Sequence, residues 1–236
     1  MSEYEDFDID SLAAYLHITP SQVQRMADRD KLPGRRIGGQ WRFSRAEIHH
    51  WLEDRIGTSD EQELVEVEQV LNRQHSGKDE IRIAQLLHIS NIAIPFSART
   101  KNSVIENICK LAANSGHLWD PAKMADAIRS RETLQTTATE NGIALLHPRR
   151  PMPALFAESF LALGVTTGGI PFGALRGSLT DIFFLIASAN DQIHLRTLAR
   201  LSRLVAIPEF LDDLRNAGDA KSAWSSVESY EQALDD

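Results

Sequence analysis

Asn141-Gly142-Ile143-Ala144-Leu145-Leu146-His147 decides how the larger part of this chain is read. Four apolar residues without a break, opened by a glycine and closed by a histidine, spell a short strand buried on both faces. The strand carries an imidazole out at its end. Upstream, Pro121 to Glu132 repeats apolar residues at helical spacing and ends in Arg131-Glu132-Thr133-Leu134, and Lys101 to Ser115 is a longer amphipathic helix. Further upstream lie a short helix, Ile83 to Leu87, and a strand, Asn91 to Pro95. Downstream, Phe160 to Val165 and Leu179 to Ala187 read as strands. Ile193 to Leu204 follows as a helix, and Glu209 to Ala217 as the last one. Strands alternating with helices of this length predict a layered α/β domain, a mixed central sheet flanked by helices.

The 236 residues carry a formal charge of −8, and it is unevenly spread. Residues 57–80 hold two basic and seven acidic side chains, net −5, with Leu64, Val67 and Leu71 at helical spacing, and read as an acidic, partly helical linker. In contrast, Arg25 to Arg45 holds seven basic residues against Asp28 and Asp30, a local +5 suited to phosphate. The domains are therefore expected at 1–56, 57–80 (the linker) and 81–236. A single cysteine, Cys109, excludes an internal disulfide framework and a cysteine-rich zinc module, and its apolar helical setting predicts an inert thiol. No window approaches 18 uninterrupted apolar residues, and the acidic start is unlike a signal peptide, so a soluble cytoplasmic protein without a membrane partner is expected.

Within the first 56 residues, Ser11 to Leu16 is a short helix with Leu12, Tyr15 and Leu16 on one face. Thr19 then caps a second helix whose first position is Pro20, where the missing N–H does no harm. This helix, Pro20 to Asp28, buries Val23 with Met26 or Ala27 and leaves Ser21, Gln22, Gln24 and Arg25 on its polar side. Helix, tight turn and polar-faced helix make a helix-turn-helix. Arg35 to Phe43 reads as a small hairpin with Gly38-Gly39 at its tip. Ser44 caps a third helix with Glu47 in a capping box and Ile48, Trp51 and Leu52 on its apolar face.

On Lys31-Leu32-Pro33, the hairpin from Arg36 through Gly38-Gly39 to Trp41-Arg42-Phe43, and Ile48 with Trp51-Leu52, the stretch Asp8 to Asp54 resembles the excisionase-like, MerR-related winged helix-turn-helix family. The second helix suits a major groove, where Gln can pair with adenine edges and Arg with guanine. Candidate DNA contacts are Ser21, Gln22, Gln24 and Arg25 on the helix, with Arg35, Arg36, Gln40, Trp41 and Arg42 on the hairpin. One such half-unit is small for specific recognition, so a homodimer on double-stranded DNA is implied. The competing reading of the same residues is a solvated basic face on a small interaction module.

Residues 81 to 230 resemble the phosphotransferase-system enzyme IIA domain of the mannitol–fructose type, which includes the nitrogen-regulatory IIA proteins. The resemblance lies in Arg131-Glu132-Thr133-Leu134 with Thr136-Thr137, in Asn141 to His147, and in Thr180-Asp181-Ile182-Phe183-Phe184-Leu185. It continues through Asp191-Gln192-Ile193-His194-Leu195, with Thr197-Leu198, to Pro208-Glu209-Phe210. It implies that His147 accepts a phosphoryl group from a phosphorylated histidine phosphocarrier protein, that His194 lies beside it, and that Arg131 helps hold the phosphate. Such transfer needs an unprotonated imidazole nitrogen near neutral pH, which an ordinary pKa of ~6.5 permits. Its loose transition state is served by positioning and cationic or N–H stabilisation. Neither metal nor cofactor is called for.

Two positions depart from the family. Leu146 and Pro148 stand where it usually has a proline before and a glycine after the histidine. Pro148-Arg149-Arg150-Pro151-Met152-Pro153 makes a stiff cationic loop in which Arg149 and Arg150 are further candidate phosphate ligands. The expected function is a DNA-binding transcriptional regulator phosphorylated on His147. Two alternatives stay open: a IIA phosphocarrier subunit with an accessory docking domain, and a pseudo-IIA interaction sensor that is not phosphorylated.

Overall fold

A computed structural model describes residues 6–16, 18–58 and 81–235, with backbone only for 54–58. The linker helix expected within 57–80 and the acidic residues before Asp6 lie outside the described residues. The chain divides into two compact units, Met1–Glu80 and Ile81–Asp236.

The first unit is a helix-turn-helix followed by a wing. Helix α1 (Ile9–Leu16) starts where Asp8 and Ser11 exchange hydrogen bonds, and buries Leu12, Ala13 and Leu16. Helix α2 (Pro20–Asp28) opens on a capping box in which Thr19 Oγ1 accepts from Gln22 N–H and Gln22 Oε1 accepts from Thr19 N–H. Val23 and Ala27 are its buried residues. Strands β1 (Arg35–Ile37) and β2 (Gln40–Arg42) pair antiparallel, Arg36 opposite Trp41. Gly38 and Gly39, at φ 59° and 83°, make the tight turn that two consecutive left-handed residues allow. Phe7 and Phe43 add a two-way bridge beside the hairpin, and Phe43 is fully buried. Its ring lies so close to Gly34 that a Cβ there would meet it at 2.7 Å. Helix α3 (Arg45–Thr58) buries Ile48 and Leu52 against this core.

The second unit is a mixed four-stranded sheet between helices. The single turn α4 (Ile83–Leu86) leads into β3 (Leu87–Ala93), then α5 (Lys101–Asn114), α6 (Pro121–Glu132) and β4 (Ile143–Leu146). Next come β5 (Phe160–Ile170), β6 (Thr180–Ala187), α7 (Asp191–Val205), α8 (Pro208–Asn216) and α9 (Ala220–Ala233). The strand order is β3-β5-β6-β4, with β3 parallel to β5, β5 antiparallel to β6, and β6 parallel to β4. All four β4 residues are buried, as their unbroken apolar run requires. Phe96, Phe172 and Phe183 pack in the core between the sheet and α5–α6. Cys109 belongs to that core, and burial pushes its thiol up to about 12, so it stays protonated and inert.

Three sequence expectations need correction. The strand after Ile83 begins at Leu87 rather than Asn91, and β5 runs on to Ile170 rather than ending at Val165. The helix over 209–217 is not the last: α9 follows it. Its buried apolar residues are only Ala223 and Val227, too few for a strong periodic signal. A carboxylate anchors it instead. Glu231, 1% exposed, accepts the N–H groups of Ile83 (2.6 Å) and Ala84 (3.0 Å), and Arg200 Nε lies 3.3 Å from the same carboxylate. Trp224 Nε1 donates to the Ala84 carbonyl at 3.0 Å. The C-terminal helix thus ties down the first turn of the unit.

Removing one partner of such a buried cluster strands the others. Glu231→Ala should destabilise the second unit by about 3–5 kcal/mol, read as a lower urea midpoint. A midpoint within experimental error of wild type would show that α9 is not held this way.

Candidate functional site

The parallel pairing of β4 with β6 sets Leu146 level with Leu185, so both strands end on the same side of the sheet. His147 is the first residue past β4, and α7 begins shortly past β6. Asn190 caps α7 by accepting from Ile193 N–H at 2.9 Å, which places His194 in its first turn. The two imidazoles meet with ring centroids 4.9 Å apart and planes at 52°, both side chains buried. Crevices past the carboxyl ends of such strands are the usual ligand sites of open α/β sheets. The helix N-terminus adds a partial positive charge suited to an anion.

The tautomer of His147 follows from one contact. Its Nδ1 lies 2.8 Å from the Leu145 carbonyl, which can only accept, so Nδ1 carries the hydrogen. The neutral ring therefore has its lone pair on Nε2. A strand end that folds its own imidazole back onto a carbonyl two residues earlier thus fixes which ring nitrogen carries the hydrogen when the ring is neutral.

Arg131 stands in the last turn of α6 and donates from Nη1 to the Gln135 carbonyl at 2.8 Å. The chain then runs antiparallel along the outer edge of β4: Ala138 bridges Ala144, and Leu145 N–H donates to the Thr137 carbonyl. Arg131 is 5% exposed, and its Nε makes no hydrogen bond among the described residues. Such a buried donor is costly unless an anion completes it. Arg149 and Arg150 are exposed, beyond His147 in the proline-braced loop, and make no ion pair among the described residues.

Two members of this region have no assigned role in the sequence reading. Glu132 accepts from Thr137 N–H at 2.9 Å and from the Thr137 hydroxyl, while its other oxygen pairs with Lys101 Nζ at 2.8 Å. Glu132 belongs to the Arg131-Glu132 motif, which is its local signal. Lys101 is distant in sequence and carries no local signal.

On the first unit, Ser21 and Arg25 are exposed on α2, and Gln40 is exposed on the wing. Gln22 is occupied by the Thr19 cap. Gln24, Arg36 and Trp41 converge on Asp28, Arg35 pairs with Asp6 (2.7 Å), and Arg42 lies 3.7 Å from Asp8. The Asp28 carboxyl is held below the usual carboxylate range, chiefly by the Gln24 amide and then by Trp41 and Arg36. A polar groove between helix and wing is lined by Gln24, Arg36, Gln40, Trp41 and Arg42 with Asp8.

Sheet, histidine pair and upstream helix-turn-helix define a two-module chain, a IIA-type α/β domain behind a helix-turn-helix with a wing. The family model described as the phosphoenolpyruvate-dependent sugar phosphotransferase system, EIIA 2, matches residues 85–230, and the chain belongs to that family. A model described as a helix-turn-helix domain matches residues 7–56. The chain is 27% identical over 149 residues to a nitrogen regulatory protein of Pseudomonas aeruginosa, covering 62% of this chain and 95% of that one. It is also 27% identical over 139 residues to the fructose-specific EIIABC component of Bacillus subtilis, covering 58% of this chain but only 21% of that protein. Nitrogen regulatory protein IIA-Ntr from Neisseria meningitidis shares the fold at TM-score 0.55 and 20% identity, covering 61% of this chain and 98% of that one. IIA mannitol from Escherichia coli does so at TM-score 0.53 and 18% identity, covering 59% and 97%.

The Leu145 contact makes a spectroscopic prediction. In neutral protein, long-range proton–nitrogen NMR should show the hydrogen of His147 on Nδ1 and not on Nε2. The opposite tautomer would remove the geometric reason for choosing Nε2 as the reacting atom.

Proposed function

We propose that this chain is a DNA-binding transcriptional regulator whose second unit accepts a phosphoryl group on His147 from a phosphorylated histidine phosphocarrier protein. The observation that carries the reading is the His147–His194 pair at 4.9 Å, with His147 Nδ1 tied to the Leu145 carbonyl. In the transfer, the His147 Nε2 lone pair attacks phosphorus in line. The new N–P bond forms as the bond to the carrier's imidazole breaks, and the electron pair returns to that imidazole. The charge is borne by three phosphoryl oxygens. His194 donates to one of them, the α7 N-terminus adds its dipole, and Arg131 brings a buried cation with a donor to spare.

The first 56 residues bind duplex DNA through α2 and the wing, as a homodimer, and the acidic segment 57–80 joins them to the acceptor unit at 81–236. Among the described residues no helix is long and apolar enough to cross a membrane. The reading sets the protein in the cytoplasm, with both its partners. Phosphorylation adds about 1.5 to 2 negative charges next to Arg149 and Arg150 and changes DNA affinity or dimer geometry.

Incubation of the full chain with the phosphorylated carrier should yield an acid-labile, base-stable label. His147→Ala should abolish it, whereas His194→Ala should slow transfer and leave some label on His147. Label found mainly elsewhere in the wild type would overturn the assignment of His147. On duplex DNA, Arg36→Ala with Arg42→Ala should shallow the salt dependence by about two counterions. The phosphorylated and unphosphorylated forms should differ severalfold in affinity, within the ~1 to 3 kcal/mol usual for coupling between sites. Identical affinity and oligomer size in both forms would leave two independent modules.

A further inference from the structure

We propose that Asp28 sets how much of the first unit's DNA binding comes from phosphate charge alone, and so acts as a specificity-determining residue. The proposal rests on the DNA-binding reading above. Asp28 is the last residue of α2, where the negative end of the helix dipole disfavours a carboxylate. Helix stability does not explain it. What holds it there is three donors, one from α2 and one from each strand of the wing: Gln24 Nε2 at 2.9 and 3.0 Å, Arg36 Nη2 at 3.0 Å, and Trp41 Nε1 at 3.3 Å. The Arg36 guanidinium also lies 5.0 Å from the Trp41 ring. Recognition helix and wing thus share one carboxylate, which fixes the angle between them before any DNA arrives.

The pattern extends over the hairpin. Arg35 pairs with Asp6 and Arg42 with Asp8, so each of the hairpin arginines faces an acid of its own unit. A DNA phosphate reaching the wing must displace a carboxylate to gain a contact and leaves that carboxylate near the nucleic-acid backbone. Binding that relies only on phosphate is the kind most weakened by this exchange. Contacts from α2 to base edges lose less, because Ser21 and Arg25 are exposed and lie outside the Asp28 cluster. Asp28 matters more than Asp6 or Asp8, since it alone of the three joins the helix to the wing.

The test uses the full chain as wild type, Asp28→Asn and Asp28→Ala, titrated against a random-sequence duplex and against a duplex enriched from a random pool by the wild type. Asparagine keeps the shape and one acceptor oxygen while removing the charge. Asp28→Asn should bind the random duplex about fivefold tighter, with a salt dependence steeper by about one counterion. Its enriched-to-random affinity ratio should fall. Asp28→Ala, which also removes the link between helix and wing, should lose affinity for the enriched duplex. Thermal melts accompany each variant, and Asp28→Ser carries the same expectation if Asp28→Asn melts well below wild type. Random-duplex affinity that is unchanged or weaker in a neutral variant that melts like wild type overturns the proposal. A wild type that binds neither duplex in a salt-dependent way instead ends the DNA-binding reading itself, and this proposal with it.

Discussion

Parallel pairing of β4 with β6 is the constraint on which the second unit depends. It brings two strand ends together on one side of the sheet, one followed at once by His147 and the other by the turn into α7. Parallel pairing has a structural cost: the two strands cannot be joined by a tight hairpin, and the chain between them must travel. Here it travels through the cationic loop and through β5, which pairs antiparallel on the far side of β6. The histidine pair therefore comes from sequence-distant segments and is held by a core rather than by a loop. Side chains placed on such a frame keep their separation without help from a ligand.

The first unit solves a different problem. Its elements are short: α2 has nine residues, and β1 and β2 have three each. A charged node at Asp28, with Trp41 stacked near Phe43 at 5.9 Å, does part of what a larger core would do. Gly34 allows that packing, because its missing side chain is the space the Phe43 ring occupies. The same residues that give the wing its shape are those proposed to meet DNA, so shape and charge cannot be changed independently there.

Much of this was legible in the sequence because periodicity and caps are local. The buried strand before His147, the cap at Thr19, and the hairpin tip at Gly38-Gly39 are each written in a few neighbouring residues. Both histidines stood in quotable motifs, although only the fold brings them to 4.9 Å. What stayed hidden depends on pairing across the chain. Lys101 holds Glu132, Asp28 gathers donors from helix and wing, and α9 is anchored by Glu231 rather than by an apolar stripe. Polar side chains at these positions look like solvated surface until the partner is known. In the sequence Asp28 is one negative charge within a basic stretch; in the fold it gathers Arg36 and Trp41 of that stretch.

The sheet register has a consequence for distance. Leu87 pairs with Leu161, and Leu161 with Ile186, a row that His147 extends on the far side of β6. The point where the chain enters the second unit therefore lies at the same end of the sheet as the histidine pair, three strand spacings or roughly 14 Å across. Across that distance two unit charges interact by only about 1 kcal/mol at an effective dielectric of ~20, so the field of an added charge arrives there weak. A stiffer path spans the same gap: α7 begins beside His147 with His194, carries Arg200 further along, and Arg200 meets the Glu231 carboxylate that holds Ile83 and Ala84. Whatever occurs at the histidines is thus better placed to be felt at the entrance as a displacement than as a voltage.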